Sequence, residues 1–319
     1  MGKNIVVCCD GTGNEYGSHN TNVVDMFTPI VRDADQVAYY DPGIGTFSVF
    51  GRFLGKKIGV ILGQGFGWGL TENIEDAYEY LMDKYVPGDK VFLFGFSRGA
   101  FTVRCLAGML NQVGLLQKGS INLIPYATDI YNTPGNERIA AGFKETYCHE
   151  CVPYFIGVWD TVGSLGYLYA KTFFDYQIRG TQHAYHAIAI DEKRKKFPVC
   201  LWEENHLAPD QNVMQVWFAG VHSDVGGWYE ERGLSDIALI WMLENASKQG
   251  LKLKEGWKDK LHPDPLGELH ESRAGFWRLW RPAIRKIPEG AKIHRSVLTR
   301  IKEKNGYNPT LPSNYIATD

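Results

Sequence analysis

Short apolar runs ending in glycine-marked or polar turns alternate along this chain with longer stretches whose apolar residues recur every three or four positions. Ile5–Cys9, Val37–Tyr40, Val91–Phe94, Tyr154–Trp159 and Met214–Val221 read as strands. They are largely apolar along their length, with little of the alternation of a half-exposed strand, which is the pattern of a sheet covered on both faces. Helical spacing marks Asn22–Val31, Thr71–Tyr85, Ala100–Leu110 and Ser235–Ala246. The second carries Ile74, Ala77, Tyr78 and Leu81 on one face, and Ser235 is the expected N-cap of the last. Tyr185–Asp191 also reads as a helical run, with Lys193-Arg-Lys-Lys196 as its solvated, dipole-complementing end. Strands alternating with helices predict an α/β fold: one domain over residues 1–319, with a mostly parallel central sheet and helices on both faces.

Two segments read as cap-like insertions into that frame. Gly43–Gly69 places Gly51, Gly55, Gly59, Gly63 and Gly67 at every fourth position, a smooth helical face for close packing. Val162–Gly180, about 162–183 with its flanks, is rich in Tyr, Phe and Leu. The last part, about 250–319, reads as irregular and helical. There Trp257, Phe276, Trp277 and Trp280 alternate with Arg273, Arg278, Arg281, Arg285 and Lys286, the pattern of an amphipathic stretch docking its Trp residues on the core.

The chemistry concentrates where apolar runs stop. Val91–Phe94 leads into Gly95-Phe96-Ser97-Arg98-Gly99 and then a helix, which is the G-x-S-x-G nucleophile elbow in its strand–turn–helix setting. A hydroxyl nucleophile needs a base beside it and an acid to orient that base. Strand Tyr154–Trp159 ends at Asp160, and strand Met214–Val221 ends at His222, giving the chain order Ser, Asp, His of α/β-hydrolases. Asp224, two residues beyond the imidazole, is a rival acid whose plainer role is to brace the loop. The oxyanion hole is expected from the amide of Arg98 together with Gly11 and Thr12 in the early turn Asp10-Gly-Thr-Gly-Asn14. Phe96, with Phe47 and Phe50 of the first insertion and Tyr167 and Phe173 of the second, is expected to wall an apolar substrate cleft.

Composition narrows the partners. A formal net charge of -2 gives no electrostatic reason for a nucleic-acid partner, and no apolar run reaches membrane-spanning length. The six cysteines are scattered, so no disulfide framework is expected, and Cys148-His-Glu-Cys151 has no second pair to complete a zinc site. Neither cofactor nor metal is expected. The start of the chain does not read as a signal peptide, so the expected location is the cytoplasm, or export by a route that needs none.

Four motifs together carry a resemblance: Cys-Asp10-Gly-Thr-Gly-Asn14, Gly95-Phe-Ser97-Arg-Gly-Ala, Gly157-Val-Trp-Asp160-Thr-Val and Gly220-Val-His222-Ser-Asp224-Val-Gly-Gly. They resemble the α/β-hydrolase catalytic domain of type VI secretion phospholipase effectors. Ala187-Ile-Ala-Ile-Asp191-Glu, Leu234-Ser-Asp-Ile237 and Ile293-His-Arg-Ser296 are similar to that family as well. The resemblance implies Ser97, Asp160 and His222 as the triad, and a small-molecule or lipid ester as substrate. Two other classes stay open at this point. One is a metal-dependent phosphoesterase using Asp10, Asp160, His222 and Asp224. The other is a binding module that keeps the fold without the chemistry.

Overall fold

The computed structural model describes residues 2–11, 17, 19–43, 58–163, 177–178, 180–205, 207–273 and 281–319, without the side chains of 58–68. Its centre is an eight-stranded sheet in the order β10-β9-β8-β7-β6-β3-β1-β2. The strands are β1 (Asn4–Cys9), β2 (Gln36–Asp41), β3 (Lys90–Phe96), β6 (Phe155–Trp159), β7 (His183–Ala189), β8 (Asn212–Phe218), β9 (Lys292–His294) and β10 (Ile316–Thr318). Every pairing in it is parallel. All the carboxyl ends therefore lie along one edge, where groups from different strands converge. A separate two-stranded antiparallel pair joins β4 (Leu115–Leu116) to β5 (Cys148–His149).

The two faces follow from the period of two along each strand. Ile5, Val7 and Cys9 of β1 pack with Ile74 and Phe101 on the side of α2 (Ile58–Lys84) and α3 (Ser97–Gln112). The same side carries α4 (Ile124–Asn132) and α5 (Glu137–Tyr147). Val6 and Cys8 face the other way, against Val23 and Met26 of α1 (Asn22–Phe27) and Ala238 and Met242 of a helix over Gly233–Lys248. A third cluster joins Ile188, Trp217 and Ile293 to Val297 on a helix over Arg295–Glu303.

Four expectations are corrected. Tyr185–Asp191 is not helical: Tyr185–Ala189 lie in β7, buried between β6 and β8, and Ile190 and Asp191 follow it. Its run Ala-Tyr-His-Ala-Ile-Ala-Ile is apolar on both faces, and a short run of that kind carries no period to distinguish strand from helix. Lys193–Lys196 thus follows a strand, and Arg194 pairs with Glu192 at 2.9 Å. Helix α2 begins at Ile58, inside the glycine-rich stretch read as an insertion. Each glycine there costs about 1 kcal/mol of helix propensity, but extending a helix already nucleated needs no new nucleus. Ser235 lies inside its helix with its hydroxyl donating to the carbonyl of Arg232, the residue at the N-cap. The C-terminal part adds two strands to the sheet, because the apolar centre of Lys292–His294 is short enough to escape a pattern search.

Candidate active site

Ser97, Asp160 and His222 meet at the carboxyl edge of the sheet. Ser97 follows β3 directly and opens α3 at φ 58, and Asp160 follows β6 at φ 39. Left-handed backbone costs about 1–3 kcal/mol at a residue with a Cβ, and it recurs where a side chain must be aimed. His222 opens a short helix, α6 (His222–Gly226), four residues beyond the end of β8; the longer helices after it are α7 (Gly233–Lys248) and α8 (Arg295–Glu303). Ser97 Oγ lies 2.8 Å from His222 Nε2, and His222 Nδ1 lies 2.5 Å from Asp160 Oδ2. The hydroxyl is not a helix cap: Phe96 holds that position and Ser97 faces the imidazole. Exposure falls along the relay, from 8% at Ser97 to 4% at His222 and none at Asp160, so the end that would meet substrate is the least buried one.

The elbow glycines make the approach possible. A Cβ on Gly99 would lie 2.1 Å from the carbonyl oxygen of Cys9, and one on Gly95 would lie 2.5 Å from the carbonyl oxygen of Gly99. Helix α3 thus sits directly on the end of β1. Gly99→Ala forces these backbones apart, and the expected result is a loss of about 3 kcal/mol, read as a lower urea midpoint.

Polar groups seal the buried end. Asp160 Oδ1 accepts the Ala189 amide at 3.0 Å. Arg285 donates through Nη1 to Oδ1 at 2.5 Å and through Nη2 to Oδ2 at 2.9 Å. Burial alone would raise the Asp160 pKa, but the Arg285 cation and the His222 bond outweigh it and hold the carboxyl well below the usual range. Burial pushes His222 down from 6.5, against the opposing pull of Asp160. A base must be neutral to accept a proton, so activity should rise with pH through a midpoint below 6.5. An initial-rate profile from acid to neutral pH checks this.

The imidazole of His222 is packed between Phe96, whose ring centroid is 4.6 Å away, and Phe197 at 5.2 Å. Gly226 leaves the space for Phe96, since a Cβ there would fall 2.0 Å from its ring. Glu192 Oε2 accepts the His222 amide at 3.3 Å. His186 is buried in β7, and its Nε2 accepts the Thr161 amide at 3.1 Å, fixing the peptide beside Asp160. Burial foremost, with Arg104 adding to it, pushes His186 down to about 3, which keeps it a neutral acceptor.

Several expected residues have other engagements. The Gly11 amide donates to Asp10 Oδ1 at 2.6 Å, so it is turned into its own loop. Asp10 Oδ2 accepts from Thr21 at 2.6 Å and Tyr40 at 3.0 Å. Asp224 belongs to a different pair: its Oδ1 lies 2.6 Å from His270 Nδ1, and its Oδ2 accepts the Val221 amide at 2.9 Å. His270 Nε2 faces Glu231 at 3.2 Å, and Tyr229 stacks on the ring at 3.7 Å. Among the described residues no group of His, Cys, Asp and Glu is arranged to hold a metal, so Asp10, Asp160, His222 and Asp224 form no common centre. Burial pushes the Cys148 thiol up to about 11 and that of Cys151 up to about 12, the opposite of a reactive pair. Thr12, Phe47, Phe50, Tyr167 and Phe173 lie outside the described residues.

The family model described as "T6SS, Phospholipase effector Tle1-like, catalytic domain" matches residues 3–245. The chain belongs to this Tle1-like family. The family is described as one of phospholipase effectors. An uncharacterized protein of Saccharomyces cerevisiae is 35% identical over 218 residues, covering 61% of this chain and 32% of that one. An uncharacterized protein from Pseudomonas aeruginosa matches at TM-score 0.48 and 17% identity, over 81% of this chain and 47% of that one. The Tle1 effector solved bound to the VgrG spike of the type 6 secretion system matches at TM-score 0.42 and 17% identity, over 72% and 52%. This Tle1-like chain therefore spans about a third to about half the length of these relatives. Among the described residues no helix is long and apolar enough to cross a membrane.

Sequence reasoning missed Arg285, Glu192 and His186. Glu192 ends the Ala187-Ile-Ala-Ile-Asp191-Glu run that resembles the family's, which was a usable signal. Arg285 offered none, being one of several arginines interleaved with tryptophans.

Proposed function

We propose that this Tle1-like chain is a serine carboxylic-ester hydrolase acting through an acyl-enzyme, with Ser97 as nucleophile, His222 as base and Asp160 as the orienting acid. One observation carries the reading: the unbroken contact from Ser97 Oγ through both ring nitrogens of His222 to Asp160, at 2.8 and 2.5 Å. An ionised Asp160 can only accept, so the imidazole proton belongs on Nδ1 and the Nε2 lone pair faces the hydroxyl.

In the first step Ser97 Oγ bonds to the ester carbonyl carbon while Nε2 takes the hydroxyl proton, and the carbonyl π pair moves onto oxygen. That oxyanion is held by the Arg98 amide at the positive end of α3, with Thr12 of the early loop completing the hole. Gly11 is withdrawn from the set because its amide is spent on Asp10. Collapse expels the alcohol, which leaves with the proton from Nε2. Water then gives a proton to Nε2 and adds to the acyl carbon. Ser97 regains its proton as the carboxylic acid departs.

The family description supports a glycerophospholipid ester as the substrate class. Phe96, Phe47, Phe50, Tyr167 and Phe173 are proposed to wall the acyl cleft, with short to medium chains preferred. The test compares acetyl, butyryl and octanoyl p-nitrophenyl esters with phospholipid vesicles. Intact mass after a serine-directed organophosphonate should show one adduct, absent in Ser97→Ala. An adduct mapped to another residue would overturn the assignment.

A further inference from the structure

Arg285 lies 63 positions after His222 in sequence and beyond the residues that the family model matches, yet it closes the buried end of the site. Its side chain is 6% exposed. Besides both oxygens of Asp160, it donates to the carbonyls of Ala189 at 2.8 Å and Phe197 at 3.1 Å. One planar fork thus joins the residue after β6, the last residue of β7 and the loop whose Phe197 ring flanks His222. A guanidinium is suited to this, because its donors are fixed in a plane that matches a carboxylate.

We propose that Arg285 is a positioning residue of this hydrolase: it fixes the Asp160 carboxylate against His222 and, as the cation beside it, sets how strongly the imidazole holds a proton. The inference rests on the reading of Ser97, His222 and Asp160 given above. Asp160 is faced by His222, Arg285, His186 and Cys200. His222 is faced by Ser97, Asp160, Glu192 and Arg194. Glu192 and Arg194 are paired with each other, and the thiol and the neutral His186 carry no charge. Arg285 is the cation in direct contact with the acid. It opposes the field by which Asp160 would otherwise retain a proton on the imidazole, so without it the base binds a proton more tightly and is idle to a higher pH.

A cavity of about 320 Å³ reaches Arg285 between Ile190–Lys193 and Gly306–Thr310. It offers a small planar cation a way to the place that a shortened side chain vacates.

The experiment follows the rate at which a fluorophosphonate labels Ser97 as a function of pH, a readout that needs no knowledge of the substrate. In Arg285→Ala labelling should slow by about 10–100-fold, and its midpoint should move up by about one pH unit. Added guanidinium ion should restore rate and midpoint together. Arg285→Lys keeps the charge but not the fork, so its midpoint should stay near that of the unaltered protein while its rate remains reduced. If Arg285→Ala does not fold, the Lys variant alone decides. A midpoint equal to that of the unaltered protein with a lower rate supports the proposal. An unchanged rate, or a lost midpoint, overturns it. Variants that fold and label like the unaltered protein also overturn the role of Arg285 and leave the site reading intact. An unaltered protein that does not label at Ser97 removes the site reading itself, and this inference with it.

Discussion

Ser97→Ala and His222→Ala should each lower turnover by about 10⁶-fold, and the double variant should be no slower than either single one. The reason is the shared step. With the hydroxyl gone there is no nucleophile to activate, and with the imidazole gone Oγ has lost the base that lies 2.8 Å from it. Each side chain is useless alone, so the two losses coincide instead of multiplying. Both variants should fold, since neither substitution buries a new charge and Asp160 keeps its contacts with Arg285 and the Ala189 amide. Single-turnover kinetics on an activated ester, beside thermal melting of all four proteins, gives the cycle. Multiplicative losses would mean that the two residues serve different steps.

Asp160→Asn should cost about 10⁴ in turnover with little change in KM, and should also destabilise the fold. An amide beside Nδ1 no longer fixes the tautomer that presents a lone pair to Ser97. It also leaves Arg285 buried against a neutral partner, and breaking a buried pair from one side costs about 3–5 kcal/mol. The same substitution at Asp224 separates the two candidate acids. Asp224 holds His270 and the Val221 amide, so Asp224→Asn should lower the melting temperature and leave turnover within about tenfold. Equal losses of turnover at both positions would contradict the assignment of Asp160.

The part of this site that was legible in the sequence is the part built from strand ends. Ser97, Asp160 and His222 each follow a run apolar enough to identify, and a parallel sheet brings such ends together whatever lies between them. Gly99 was legible too, because the elbow demands close backbone approach. The supporting shell was not. Arg285 reaches Asp160 from a segment with no apolar period, and its role depends on a fold-level proximity that no local pattern encodes. His186 was hidden for a different reason. Its strand is apolar on both faces, and a run without alternation does not declare its own secondary structure. Gly11 shows the converse limit: a glycine beside a carboxylate can turn its amide inward, and only coordinates reveal which way it points.

The all-parallel pairing of the main sheet also bears on how this chain acquires its structure in time. No two neighbouring strands of that sheet can be closed by a tight turn, so each contact between them waits for an intervening stretch of chain to be gathered in. Strands β8 and β9 are adjacent in space but separated by the whole segment from Phe218 to Lys292. Chain entropy must be surrendered before such contacts reward it, which makes assembly slow compared with a helical bundle or a meander of hairpins. During that interval the apolar runs that become β1, β3 and β7 stand unpaired, and intermolecular pairing competes with folding. The arrangement that gathers Ser97, Asp160 and His222 onto one edge thus carries a kinetic liability, greatest when the protein is concentrated and only partly folded.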